Sequence, residues 1–111
     1  MITVTISKNA DKEYTAVSST GHAGYAAYGQ DIVCAAVSVL LINTLNAIET
    51  LTGDGGLMHI VQNEEDGVLC CTFQGATGQD TRLLLDAMVL GLEGIREQYS
   101  DKYLRLIFEE V

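Results

Sequence analysis

His22 and Cys34 stand at the two ends of one short stretch, GHAGYAAYGQDIVC. An imidazole and a thiol that can meet make a nucleophile: the base takes the thiol proton, and the thiolate attacks a carbonyl. Asp31 has the side chain of a helix N-cap, and the apolar run that follows it has helical spacing. Cys34 then falls in the first turn, beside unpaired N–H groups and the positive end of the helix dipole. Both favour a thiolate, whereas the Asp31 carboxylate opposes one unless it is occupied in capping the amide of Val33 or Cys34. The same N–H groups offer an oxyanion site for acyl transfer. His22, flanked by Gly21 and Ala23, is the candidate base. Gly21, Gly24 and Gly29 make the intervening segment pliable, and Tyr25 and Tyr28 on it are candidates to close over a bound apolar segment. Ser38 lies one turn beyond Cys34 on the same face, where it either orients the site or bonds a carbonyl within the helix.

Other readings of these residues remain open. A cysteine in an apolar helix also serves as a small core residue, and a histidine near a turn as a turn residue. A zinc site drawn from His22, Cys34, His59 and a strand cysteine lacks CxxC or HxxxH spacing. Cys70 and Cys71 are adjacent, so in a strand they face opposite ways and read as structural. GDGG and GATGQD have neither the lysine of a phosphate loop nor the GxGxxG order, and read as a helix stop and a helix entry. NEEDG has no calcium-loop spacing and reads as a solvated hairpin tip.

Positioning these groups requires a scaffold, and the pattern supplies one. Met1 to Ser7 alternates Ile2, Val4 and Ile6 with polar residues, as a half-buried strand does. NADKE is a turn, and Glu13 to Thr20 makes a second strand. The first helix runs from Asp31 to about Leu51, with Val33, Val37, Leu40, Leu41, Leu45 and Ile48 on its stripe. Leu57–Gln62 and Val68–Gln74 form a second hairpin. A second helix starts at Gly78 or Asp80 and reaches about Gln98, with Leu84, Met88, Leu92 (or Gly91), Ile95 and Tyr99 facing inward. Tyr103–Phe108 is a final strand, with Leu104, Leu106 and Phe108 alternating. The order ββαββαβ predicts a two-layer α+β sandwich, a mostly antiparallel sheet under two helices. The first helix is apolar on more than one face, which points to a homodimer.

Composition sets the outer bounds. With 111 residues the chain suits one domain. Fifteen acidic against six basic side chains leave a formal charge of −9, which disfavours direct nucleic-acid binding and suits encounter with a basic partner. The odd cysteine count argues against a disulfide framework and for a reducing cytoplasm. The opening MITVTISKN reads as a strand, not a secretory leader. The uncharged run Ile32–Ile48 falls just short of a membrane span and reads as a buried helix; no membrane partner is expected.

The segment GHAGYAAYGQDIVCAAVSVL, Gly21 to Leu40, resembles the signature of the bacterial ribosomal-processing cysteine protease family, Prp. The matching positions are Gly21, His22, Ala23, Gly29, Asp31, Ile32, Val33, Cys34, Ala35, Ala36, Val37 and Ser38. The resemblance extends to the length and element order of the whole chain. It implies a single cysteine-protease domain over residues 1–111, with Cys34 as nucleophile, His22 as base, supporting roles for Asp31 and Ser38, and a mobile substrate loop from Ala23 to Gln30. It also implies a cytoplasmic, dimeric endopeptidase with no metal or cofactor. The implied substrate is a large-subunit ribosomal protein, the one numbered twenty-seven, made with a short apolar, Phe-containing N-terminal extension ahead of a basic mature chain. The alternative is a non-catalytic ribosome-assembly module that holds the extension without cutting it. A metal-dependent hydrolase is a third reading.

Overall fold

The computed structural model describes residues 1–22, 24, 26 and 31–111. The elements are β1 (Ile2–Lys8), β2 (Tyr14–Thr20), α1 (Ile32–Leu51), a 3-10 turn (Gly55–Leu57), β3 (Met58–Asn63), β4 (Val68–Phe73), α2 (Gln79–Tyr99) and β5 (Leu104–Glu110). The ββαββαβ order expected from the pattern is the order found. The 3-10 turn was not expected. It delays β3 by a residue, because the Leu57 N–H donates to the Asp54 carbonyl at 2.9 Å.

The five strands lie in the order β3-β4-β2-β1-β5. β2 is antiparallel to both β1 and β4, β3 is antiparallel to β4, and β5 is parallel to β1. It follows that β2 and β3 run one way, and β1, β4 and β5 the other. Each helix therefore joins two strands of like direction, β2 to β3 through α1 and β4 to β5 through α2. Such a connection must cross a face of the sheet. Both cross the same face, which gives two layers.

Alternation decides which strand residues meet the helices. Ile2, Val4 and Ile6 of β1 are at most 3% exposed. Beside them lie Val17 of β2, Cys71 and Phe73 of β4, and Leu104 of β5. The opposite face is polar, with Thr3 paired to Thr20, Thr5 to Ser18 and Ser18 to Cys70. That is the pattern of a sheet covered on one side only. Phe108, expected on the covered face, is 55% exposed; it lies on an edge strand, where the helical layer gives out.

The first helix is long and apolar enough to cross a membrane by length and composition. Here it packs Val33, Val37, Leu41, Leu45 and Ile48 into the core. Thr44 joins that stripe because its Oγ1 donates to the Leu40 carbonyl at 2.7 Å, satisfying the hydroxyl inside the helix. Where the two helices cross, a methyl on Gly91 would stand 2.8 Å from Leu40 Cδ2, so the bare glycine admits that leucine. The inward stripe of α2 is Thr81, Leu85, Met88 and Leu92. Met88 and Leu92 lie on it as expected, whereas Leu84, Ile95 and Tyr99, also expected on the stripe, are partly buried at its margin.

The two glycine-rich turns are pinned to each other. Asp54 of GDGG accepts the Gly78 N–H at 2.8 Å and the Thr81 hydroxyl at 2.6 Å. Gly78, the N-cap position of α2, has no side chain to cap with; the carboxylate of the distant turn instead ties down the entry to the helix through the Gly78 N–H and the Thr81 hydroxyl.

Candidate active site

The N-terminal turn of α1 is built as expected. Asp31, 8% exposed, is the N-cap in extended backbone geometry. Its Oδ1 accepts the amides of both Val33 and Cys34, each at 3.0 Å. Its carbonyl takes the Ala35 N–H, also at 3.0 Å. Two of the helix-start amides expected as oxyanion donors, those of Val33 and Cys34, are donated to Asp31. A carboxylate bonded to the Cys34 amide also opposes a negative sulfur on the same residue. A thiolate there needs a positive partner.

His22 lies just past the end of β2, and it borders the same cavity as Cys34, Asp31 and Ser38. The cavity measures about 500 Å³. Cys34, Val37, Ser38 and Leu41 of α1 make one wall. Ile2, Ser19 and Leu69 make the sheet floor, and Gln62, Asn63 and Gly67 of the β3–β4 hairpin make the opposite wall. The cleft exists because β3 and the hairpin tip reach beyond the cover of α1. Its lining is largely apolar with a few polar groups, the usual character of a pocket for organic ligands. Cys34 is half-buried and Ser38 exposed, so both reach the cavity from one helix face.

Gly21 takes a φ of +88°, and a methyl there would stand 2.5 Å from the Met1 carbonyl oxygen. Glycine is required on both counts. Gly24 also has a positive φ, +75°, and lines the cavity with Ala26. Tyr25, Tyr28 and Gly29 lie outside the described residues, as does most of the expected substrate loop.

The hairpin tip is more than the solvated turn expected of NEEDG. The His22 Nε2 lies 3.4 Å from the Glu65 carbonyl. Gly67 packs so closely on the Gly21–His22 backbone that a methyl would meet the Gly21 oxygen at 2.6 Å. The residues that sequence reasoning missed here are Ser19, Asn63 and Gly67. A glycine directly after an acidic turn was the available signal, but which segment it would abut is a matter of strand order.

The remaining cysteines and histidine stand elsewhere. Cys71 is 1% exposed in the core, and burial pushes its thiol up to about 11, with Cys70 adding to the shift. His59 pairs with Thr72, on the face opposite Cys71. The zinc set of His22, Cys34, His59 and a strand cysteine is therefore not assembled. Among the described residues no group of three or more His, Cys, Asp or Glu side chains is placed to hold a metal ion.

Comparison with known proteins gives this cleft its context. The family model for the cysteine protease Prp matches residues 1–104. The ribosomal processing cysteine protease Prp of Bacillus subtilis is 34% identical over 105 residues, covering 91% of this chain and 92% of the relative. That of Staphylococcus aureus strain Mu50 is 34% identical over 101 residues, covering 91% and 93%. Among solved structures, the essential S. aureus ribosomal processing protease Prp with a covalently linked product peptide superposes with a TM-score of 0.90 at 33% identity, covering 98% of this chain and all of that one. The S. aureus protease with a substrate peptide gives 0.85 at 32%, with the same coverage. On the family match across nearly its whole length, the chain belongs to the cysteine protease Prp family.

Proposed function

We propose that the chain is a cytoplasmic cysteine endopeptidase that removes a short N-terminal extension from a large-subunit ribosomal protein, with Cys34 as nucleophile and His22 as base. One observation carries the assignment of roles: His22, Cys34 and Ser38 border a single apolar-lined cleft that is open to a peptide. The relatives at 34% identity are ribosomal processing proteases, and the covalently linked product peptide in the solved S. aureus structure at 33% identity is in keeping with nucleophilic catalysis.

In the proposed mechanism the imidazole of His22 takes the Cys34 proton. The sulfur attacks the scissile carbonyl carbon, and a tetrahedral adduct forms. As the C–N bond breaks, imidazolium gives its proton to the leaving amine, and a thioester remains. Water, losing a proton to His22, attacks the thioester and releases the extension as an acid. Asp31 holds the turn that presents the sulfur, and Ser38 supports the same wall. The apolar cleft receives the hydrophobic extension, and the acidic surface favours a basic mature chain. Ile32, Val39 and Ile42 of α1 and Leu83 and Leu90 of α2 are exposed, which supports the dimer.

The test is to mix purified protein with a peptide spanning the extension and the mature start, and to read the products by mass. Parent protein yields two fragments; Cys34→Ala and His22→Ala each yield none. Full processing by either variant overturns the roles. Capture of the peptide with no new mass, by parent and variants alike, favours the binding module.

A further inference from the structure

Which nitrogen of a catalytic histidine carries the proton is set by the hydrogen bond that the ring makes away from the reacting group. Asp31 takes the amides of Val33 and Cys34 on its Oδ1. We infer that the tip of the β3–β4 hairpin takes the orienting role: the Glu65 backbone carbonyl fixes His22 as the Nε2–H tautomer, and Gly67 is the positioning residue that lets the tip approach. This rests on the proposed role of His22 as base.

Three observations carry it. The His22 Nε2 lies 3.4 Å from the Glu65 carbonyl oxygen; a carbonyl oxygen only accepts, so the pair is a hydrogen bond only when Nε2 carries the proton. Nδ1 is then the basic nitrogen of the neutral ring. Next, the contact is shaped for glycine alone. A methyl on Gly67 would stand 2.6 Å from the Gly21 oxygen, 3.0 Å from its carbon and 3.1 Å from His22 Nε2. Gly67 also has a φ of +63°. Last, the tip is internally braced. Asn63 Nδ2 donates to Asp66 at 2.9 Å, Asn63 Oδ1 accepts the Asp66 amide at 3.3 Å, and the Gly67 amide donates to Glu64 at 3.2 Å. A braced turn can hold a ring. A main-chain acceptor also keeps its place when side chains at the tip change.

The experiment is histidine-selective ¹⁵N labelling and NMR, with His59→Gln used to assign His22. The expected result is that the neutral form of the His22 ring carries its proton at Nε2. Two variants separate strain from contact. Gly67→Ala suffers both, whereas Gly67→Asn tolerates the left-handed backbone but still carries the intruding Cβ. Each is expected to shift the tautomer balance and to lower kcat about 100-fold, with KM changed far less, the scale expected for a small misplacement of a reacting group. A neutral parent ring protonated at Nδ1, or a Gly67→Asn variant with parental kcat and tautomer, overturns the inference. If neither variant folds, the parent spectrum decides alone. An Nε2–H ring in a parent protein that cuts no ribosomal peptide leaves the positioning intact and removes the function.

Discussion

Cys34, Cys70 and Cys71 share one chemistry and differ only in surroundings, so they test the site at the scale of single residues. Cys71 is sealed in the core with its thiol raised to about 11. Below that pH it presents little thiolate and no access. Cys34 opens on the cleft. An alkylating reagent at mildly acidic pH is expected to modify Cys34 first and Cys71 last, read by peptide mass against time; equal, slow modification of all three would remove the nucleophile. Asp31 provides a second residue-scale test. Its carboxylate satisfies two otherwise orphaned amides, so Asp31→Ala should lose about 1 kcal/mol of stability. Asp31→Asn, itself a good N-cap, should retain most of it. Thermal melting of the two variants distinguishes a cap from a residue that matters only to the reaction.

At the scale of elements, the clamp between the two glycine-rich turns decides how α2 begins. Asp54 is held below the usual carboxylate range, first by the Thr81 hydroxyl and then by the Gly78 amide. A carboxylate depressed in the folded state stabilises the fold above its unfolded value, about pH 4. The contribution is lost as the pH falls through the lower, folded value, when the protonated group gives up its acceptor role. Asp54→Ala should therefore melt lower than the parent near neutral pH, by roughly 4 °C if the two hydrogen bonds together contribute about 1 kcal/mol. The gap should narrow as the pH is taken well below 4. A gap that stays constant with pH would mean that the carboxylate charge is irrelevant there.

Charge and free surface act on the molecule as a whole. A chain of formal charge −9 attracts a basic substrate over a distance that salt shortens. The value of kcat/KM for the extended, basic ribosomal protein should fall as ionic strength rises. That for a short neutral peptide carrying the same cleavage site should stay nearly flat. Equal salt dependence for both would place the effect in the cleft instead. The apolar side chains left outside the fold, Val39 at 67% and Leu90 at 71% exposure among them, bear on assembly. Sedimentation should give about twice the chain mass of 11.9 kDa, and Val39→Lys with Leu90→Lys should bring it toward the single chain.

The sequence by itself determined the elements and the first turn of α1, because both are local matters. Alternation in Ile2–Ile6, helical spacing from Val33 to Ile48, and a capping aspartate before Cys34 follow from backbone periodicity and from hydrogen bonds a few residues long. Family resemblance in Gly21–Leu40 pointed to the chemistry. The tertiary structure alone decided what faces what across the sheet. The order β3-β4-β2-β1-β5 brings the hairpin tip against Gly21 and His22, and Asp54 onto the start of α2. Those contacts join residues that no local period relates, and they form only where the burial of one sheet face dictates which strands become neighbours.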